Sequence, residues 1–189
     1  MTRLILMLIL VLSICCLPMV ASAQVDKFGK PDTLTAEIGK VDPLHWTITV
    51  SLTNDEYVLG LSVPFRMTAG LNRIVADSAV FTGGRVSHFA LNAFRADTAI
   101  QCVLLGMISS TGGAKKRLDP GTGRLATIFV SSLEKKPIEK LTVDTTTVHP
   151  QNSLLIIADS VQGTPTDTSR TYDIKETQII PAFVVRYAK

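Results

Sequence analysis

The chain is poor in cysteine, and the few it has exclude a disulfide-stabilised fold. Its 189 residues include three cysteines, and two of them, Cys15 and Cys16, lie in the apolar N-terminal segment. Removal of that segment would leave Cys102 alone, so no internal disulfide could form. The fold must therefore be stabilised by packing. Cys102 lies in an apolar run and is predicted to be a buried thiol rather than a nucleophile.

Histidine is also scarce, and the three histidines do not form a recognisable metal-binding motif. None of His45, His88 and His149 has a second histidine or a cysteine three to five residues away, the spacing of many zinc sites. The nearest approach to a hydrolase nucleophile turn, GLSVP at 60–64, lacks the second glycine and lies in a strand-like run. We therefore expect no catalytic residue and no cofactor. A structural calcium ion remains an alternative, with loop carboxylates as ligands: Asp159, Asp167 and Asp173.

Charge of either sign is low and evenly spread. Nineteen lysines and arginines against 16 aspartates and glutamates give a formal net charge of +3. The densest basic segment, Lys115–Arg117, has only three residues and is predicted to be a solvated loop. Nucleic-acid-binding proteins concentrate basic residues on a face or stripe, so no nucleic-acid partner is expected.

The N-terminal segment has the features of a secretory signal peptide. Arg3 precedes an apolar stretch over Leu4–Leu17, Pro18 ends that stretch, and small residues follow at 21–23. We expect cleavage after Ala23, which places the protein in the periplasm, at the cell surface or outside the cell. The alternatives for this stretch are an uncleaved membrane anchor and a lipoprotein anchor at Cys15 or Cys16, although the residues before these cysteines lack the small residue expected directly before a lipidated cysteine. No later run is long and apolar enough to span a bilayer.

Two runs near the middle of the chain show the period of two that marks strands with one buried face. Apolar side chains occupy every second position of Trp46–Thr53 and again of Leu59–Met67. The residues between them, 54–57, supply turn chemistry, so the runs are predicted to be antiparallel neighbours. Strand composition then recurs about every ten residues as far as Tyr187, and no amphipathic helix appears.

The fold class is therefore predicted to be all-β, a single β-sandwich of about nine strands with jelly-roll or Greek-key connections. Residues 1–23 are assigned to the signal peptide, 24–32 to a flexible leader and 33–189 to the sandwich. Ala99–Ile108 is apolar at nearly every position and is predicted to be a central strand covered on both faces.

Four further features of the sandwich region are predicted. Val86–Phe94 is expected to be a strand or a bulged edge, and Val161–Tyr172 a long exposed loop. Pro64 and Pro181 fall inside strand-like runs. Because proline cannot donate to a sheet ladder, each is expected to mark an edge or a bulge.

The stretch from Trp46 to Val130 resembles a cohesin domain. The residues that carry the resemblance are WTITVSLTNDEYVLGLSVPFRM at 46–67 and the glycine turn with its following strand, LDPGTGRLATIFV, at 118–130. The resemblance implies a nine-stranded jelly roll. It also implies a non-enzymatic, cohesin-like binding module for a protein partner, commonly a dockerin module, in an extracellular or cell-surface assembly.

The binding surface is predicted to lie on the face of the two central runs that does not form the core. Five residues belong to that prediction: Thr47, Thr49, Ser51, Ser62 and Arg66. The alternative function is a carbohydrate-binding module of similar sandwich fold, which would need exposed aromatic platforms. Trp46 is in phase with core positions, so the candidate platforms are Tyr57, Tyr172 and Tyr187.

Overall fold

A computed structural model of the protein describes residues 29–110, 116–146, 153–159 and 177–188. The predicted signal peptide, residues 24–28 of the leader and the predicted loop at 161–172 lie outside these ranges. Among the described residues no helix could cross a membrane, because none is both long and apolar enough. The described chain forms eleven strands: β1 (Thr33–Lys40), β2 (His45–Asn54), β3 (Val58–Thr68), β4 (Ile74–Val80), β5 (Leu91–Asp97), β6 (Cys102–Ile108), β7 (Gly121–Ser132), β8 (Thr142–Thr145), β9 (Leu155–Ala158), β10 (Gln178–Ile179) and β11 (Ala182–Tyr187).

The strands form two sheets that enclose one core, which confirms the predicted all-β sandwich. The first sheet has the order β11-β1-β2-β7-β4, and the second has the order β10-β9-β3-β6-β5, with β8 paired to the end of β3. Strand β11 runs parallel to β1, and the other pairs are antiparallel. There are more strands than predicted partly because the last strand-like run divides at Ile180-Pro181 into β10 and β11, which belong to different sheets.

The alternation of the sequence decides which side chains enter the core. In β2 every second residue from Trp46 to Leu52 is buried. In β3 every second residue from Leu61 to Met67 is buried. Because successive strand residues point to opposite faces, each strand presents one apolar row to the core and a different row to solvent. The largest fully buried side chain is Phe65 of β3.

The prediction that the two central runs pair with each other is wrong. Strand β2 pairs with β1 and β7, whereas β3 pairs with β6, β8 and β9. Residues 55–57 carry the chain from one sheet to the other instead of closing a hairpin. The buried rows of the two strands therefore face each other across the core, and their exposed rows lie on opposite sides of the molecule.

Pro64 lies at a position where β3 changes its neighbour on one side of the sheet. On one side of β3 it pairs with Leu104 of β6. On the other side the pairing with β9 ends at Ser62 and the pairing with β8 begins at Phe65. The prediction that Pro64 marks an edge or a bulge is wrong, because β3 has neighbours on both sides and its bulge lies between Val58 and Gly60. The missing N–H is tolerated at the gap between β9 and β8.

Two strand boundaries in the second sheet differ from prediction. Residues 82–90 form turns, and β5 begins only at Leu91. The predicted strand over Ala99–Ile108 begins at Cys102, and only its inward row is fully buried, whereas Ile108 on the outward row is exposed. The prediction that both faces of this strand are covered is therefore wrong, because no other described element packs over its outward face. Cys102 is a buried free thiol, as predicted.

The turn between β1 and β2 depends on one ionised carboxylate. Asp42 Oδ1 accepts backbone hydrogen bonds from Leu44 N at 2.7 Å and His45 N at 2.9 Å. The His45 ring lies 2.8 Å from Asp42 Oδ2 through Nδ1. The His45 side chain, followed by these backbone donors, lowers the pKa of Asp42 below its usual 3.8.

We expect the Asp42 turn to lose stability in acid. A carboxylate whose pKa is lower in the folded state stabilises the fold above its unfolded pKa, and this contribution disappears as the pH falls through the folded value. Asp42→Asn should therefore unfold at a lower urea concentration than the wild type at neutral pH, and the difference should shrink below pH 3.8. An unchanged difference in urea midpoint at both pH values would contradict this account.

Candidate functional site

The outward face of the second sheet is unusually apolar for a solvent-facing surface. Leu91 of β5 and Ile108 of β6 are each 43% exposed. Half-buried or exposed aliphatic and small side chains surround them on β5, β6 and β9. We call this surface the aliphatic face, and its members are Leu91, Ala93, Leu104, Gly106, Ile108, Leu155 and Ile157.

Strand register arranges the aliphatic face into rows that cross the strands. The central row begins with Leu155 of β9 and continues with small residues, since Ser62 pairs with Leu155 and with Gly106, which pairs with Ala93. The row on one side consists of Ile157, Gly60, Ile108 and Leu91, and the row on the other side of Pro64, Leu104 and Arg95. Consecutive rows are separated by two residues, which is about 7 Å along a strand. The small residues Ser62, Gly106 and Ala93 thus form a shallow trough, which Leu155 ends on β9, between two rows that carry larger side chains on β5 and β6.

Gly106 at the middle of the trough has room for a side chain. A Cβ built there would have one neighbour within 4 Å, the Cβ of Ala93 at 3.8 Å, which is ordinary van der Waals contact. The absence of a side chain at 106 is therefore not required by close backbone packing. It leaves the trough open to an incoming group.

Charged side chains border the trough at the end of the strands where β3 finishes. Arg66 pairs across to Asp144 of β8 on one side, and on the other side to Cys102, whose β5 partner is Asp97. Arg95 belongs to the neighbouring row. An apolar centre with a polar border is the composition of many protein-binding surfaces.

The outward face of the first sheet has a different chemistry. Four of its five strands, β1, β2, β4 and β7, present ten hydroxyl side chains together with the exposed Val80 and Phe129, and we call this surface the hydroxyl face. Thr122 donates from its hydroxyl to the Thr53 hydroxyl at 3.0 Å, so some of these groups are already paired. The members with hydroxyls are Thr33, Thr35, Thr47, Thr49, Ser51, Thr53, Ser78, Thr122, Thr127 and Ser131.

The five predicted binding residues do not form one surface. Thr47, Thr49 and Ser51 lie half-buried on the hydroxyl face, whereas Ser62 and Arg66 lie on the outward side of the second sheet. The prediction placed them together because it paired β2 with β3. Sequence reasoning missed the rest of the aliphatic face, although the apolar run over 99–108 carried the signal.

Three carboxylates meet at the end of the sandwich where β1 and β3 begin. Oxygen atoms of Asp32, Asp55 and Glu56 lie within 4.8 Å of one another, and Asp32 and Glu56 are buried. Oxygen ligands of this kind suit calcium. Asp55 Oδ2 also accepts a hydrogen bond from Lys30 N at 2.9 Å. The calcium ligands considered from sequence lie elsewhere, and Asp159 of that set pairs with Arg117 at 3.3 Å; the other two lie outside the described residues.

A half-buried arginine joins the segments next to these carboxylates. Arg85 Nη1 donates to Leu52 O at 3.0 Å, to Asn54 Oδ1 at 2.8 Å and to Gly121 O at 2.9 Å. Its Nη2 donates to the carbonyl of Asp119. Burial lowers the pKa of the Arg85 guanidinium, while Asp119 and Asp32 act in the opposite direction. Arg85 therefore fixes the ends of β2 and β7 and has a structural role.

Comparison with known proteins identifies the fold. No protein-family model matches the sequence, and no curated protein matches it. A type I cohesin–dockerin complex from Clostridium thermocellum, Coh-OlpA–Doc918, contains a chain with 8% identity and a TM-score of 0.54, covering 84% of this chain and all of that one (100%). The seventh ScaB type I cohesin from Pseudobacteroides cellulosolvens has 9% identity and a TM-score of 0.53, covering 83% and 92%. A non-cellulosomal cohesin from the archaeon Archaeoglobus fulgidus has 13% identity and a TM-score of 0.50, covering 85% and 93%. The fold is cohesin-like.

The tyrosines considered as sugar-binding platforms do not form an exposed platform among the described residues of the cohesin-like sandwich. Trp46 is buried in the core, as predicted. The Arg117 guanidinium lies 3.7 Å from the centre of the Tyr57 ring and occupies that face. Tyr187 is half exposed, and its hydroxyl donates to Leu141 O at 3.1 Å. Tyr172 lies outside the described residues.

The described histidines of the cohesin-like sandwich lie at opposite ends of it. His45 belongs to the β1–β2 turn, where Asp42 is its partner. His88 belongs to the turns before β5, and its Nε2 lies 3.1 Å from Arg117 O. Ser62, the serine considered as a nucleophile, lies within β3 between Leu61 and Val63 rather than on a sharp turn. The serine opposite His45 is Ser131 of β7, and its hydroxyl donates to Asp77 Oδ1 at 3.0 Å.

Proposed function

We propose that the protein is an exported, non-enzymatic binding module that holds a protein partner on its aliphatic face. The observation that carries the proposal is the trough of Ser62, Gly106 and Ala93 between two rows of larger side chains. Exposed contiguous apolar surface is a mark of binding sites in soluble proteins. The predicted signal peptide supports export to the periplasm, the cell surface or the medium.

The shape of the trough supports a partner that presents a helix. A helix with apolar residues at intervals of three and four offers a ridge that can lie in an apolar groove. The outer rows would flank that ridge, and the charged border at Arg66 and Asp97 would select the orientation of the partner. A dockerin-type partner fits this description, and the Clostridium thermocellum chain with the similar fold was solved in a complex with a dockerin.

The hydroxyl face supports protein binding less well. Its hydroxyl groups belong to threonines and serines, and some of them already make local hydrogen bonds, such as Thr122 with Thr53 and Ser131 with Asp77. It also has no row of small residues between rows of larger ones. The initially predicted Ser62 and Arg66 remain part of the proposed surface, whereas Thr47, Thr49 and Ser51 become controls.

The proposal is tested by capturing partners from the source organism's secreted proteins on immobilised chain from Gln24 to Lys189. We expect the wild type to retain a discrete protein, and an Ile108→Asp variant to lose it, because a carboxylate would have to be buried in an apolar contact. A Thr47→Asp variant on the hydroxyl face should retain it. Equal retention by both variants would contradict the proposed site.

Polysaccharide binding is measured in a parallel experiment. The soluble chain is mixed with insoluble cellulose, chitin or cell-wall fractions, and the chain that sediments with them is measured. We expect no retention, because the described tyrosines do not form an exposed platform. If polysaccharide retained the chain and the immobilised chain captured no protein, the carbohydrate-binding alternative would be favoured.

A further inference from the structure

The end of the sandwich opposite the carboxylates has an exposed aliphatic side chain on each of four loops. We call this the loop end, and it comprises residues 40–44, 69–73, 98–101 and 133–141. Leu71 is 102% exposed and Val41 is 64% exposed, and Ile100 and Leu133 are each nearly half exposed. At the other end, the described loops expose one large apolar side chain to a similar degree, Ile180 between β10 and β11, at 53%.

Three of the four loops are joined to one another by backbone hydrogen bonds, and the fourth is joined to β3. Leu133 N donates to Arg73 O at 2.9 Å, and Ile138 N donates to Pro43 O at 2.7 Å. The 98–101 loop is joined to the end of β3 by another backbone hydrogen bond. The aliphatic tips are therefore carried on a preformed surface. Leu71 would be unexceptional by itself, but together with Val41, Ile100 and Leu133 it places four exposed aliphatic side chains at one end of the sandwich.

Cationic side chains surround these tips. The loop end contains five lysines and arginines and three acidic residues, which leaves two positive charges in excess. Glu134 pairs with Lys136 at 2.7 Å, and this partner lowers the Glu134 pKa. The cations are Lys40, Arg73, Lys135, Lys136 and Lys140.

A depression lies directly beside Leu71. It is lined by the 69–72 turn on one side and by Lys136, Pro137, Glu139 and Lys140 on the other. A negatively charged group that entered it would meet the ammonium groups of Lys136 and Lys140 beside the Glu139 carboxylate. An aliphatic tip next to a depression with two lysines matches the two parts of an anionic phospholipid, an acyl chain and a phosphate.

We propose that the loop end binds the surface of a bilayer that contains anionic phospholipid, with Leu71 and its neighbouring aliphatic tips entering the boundary between headgroups and acyl chains. The excess positive charge favours this partner over an apolar or basic protein surface. Tips on four separate loops suit a fluid surface, which adapts to each of them. The aliphatic face lies on the side of the sandwich and stays free for a protein partner.

The test is co-sedimentation of chain Gln24–Lys189 with vesicles. One set of vesicles contains phosphatidylcholine and phosphatidylglycerol in equal parts, and the other contains phosphatidylcholine alone. We expect binding to the first set that weakens with added salt, and much weaker binding to the second. The double variant Leu71→Ser/Leu133→Ser should bind at least about tenfold more weakly, since two aliphatic side chains no longer leave water.

Matched variants separate the two parts of the site. Val80→Ser removes an aliphatic side chain of similar exposure on the edge strand β4 and should leave vesicle binding unchanged. Lys140→Glu should weaken binding to the anionic vesicles, whereas Lys116→Glu at the other end should not. Absence of wild-type binding to anionic vesicles, or equal binding by wild type and double variant, would overturn the proposal. Loss of protein capture by the double variant would instead assign the loop end to a protein partner and would also overturn it.

Discussion

Phe65→Ala should destabilise the protein by about 3–5 kcal/mol, as expected when a large buried aromatic side chain is truncated and a cavity remains. Phe65 is fully buried at the centre of β3, where it faces the first sheet. A domain of this size is typically stable by about 5–15 kcal/mol, so the loss would be a large share of the total. Urea unfolding followed by the fluorescence of Trp46, the single tryptophan, measures it.

The control for this prediction is Phe129→Ala. Phe129 lies on the outward side of β7 and is 41% exposed, so its truncation removes apolar area that was never fully withdrawn from water. We expect a cost of less than about 1 kcal/mol. If the two phenylalanine variants lost equal free energy of unfolding, the assignment of the inward and outward rows would be wrong.

Arg85→Met should cost about 2–4 kcal/mol, because a charged donor to several carbonyl groups is lost at once. The methionine retains much of the hydrocarbon of the arginine but leaves Leu52 O, Gly121 O and Asn54 Oδ1 without this donor. Partial exposure of the site lets water replace some of these bonds, which sets the lower end of the range. Thermal or urea unfolding gives the free energy.

Arg124→Met is the matched control for Arg85→Met. Arg124 is also half-buried, but it makes one bond to Thr82 O at 2.9 Å and one to the Thr127 hydroxyl at 3.3 Å. We expect it to cost no more than about 1 kcal/mol. Arg85→Lys should recover only part of the loss, since one ammonium group cannot reach all the acceptors. Full recovery by lysine would mean that charge rather than bond geometry matters at this position.

The sequence predicted the buried rows correctly but not the strand neighbours. Alternation from Trp46 to Leu52 reports which face of a strand is buried, and it contains no information about which strand lies beside it. The turn residues at 54–57 therefore suited a hairpin and a crossing between sheets equally well. This single ambiguity divided the predicted binding residues between two opposite surfaces.

The aliphatic face shows a second limit of pattern reading. The residues of β6 are apolar on both sides, and a covered strand and a strand with an apolar binding surface have the same pattern. Only the exposure of Ile108 in the folded protein distinguishes them. The carboxylates Asp32 and Asp55 escaped notice because they are distant in sequence and meet only when β1 and β3 begin at the same end of the sandwich.

The most direct test of the proposed function is the dissociation constant of the captured protein partner for two single-site variants on opposite faces. Gly106→Arg fills the trough with a charged side chain at a position that tolerates a Cβ, whereas Thr49→Arg places the same side chain on the hydroxyl face. We predict that Gly106→Arg weakens binding at least about tenfold, which is about 1.4 kcal/mol, and that Thr49→Arg leaves it unchanged. Weaker binding by Thr49→Arg, with Gly106→Arg unaffected, would contradict a partner site on the aliphatic face.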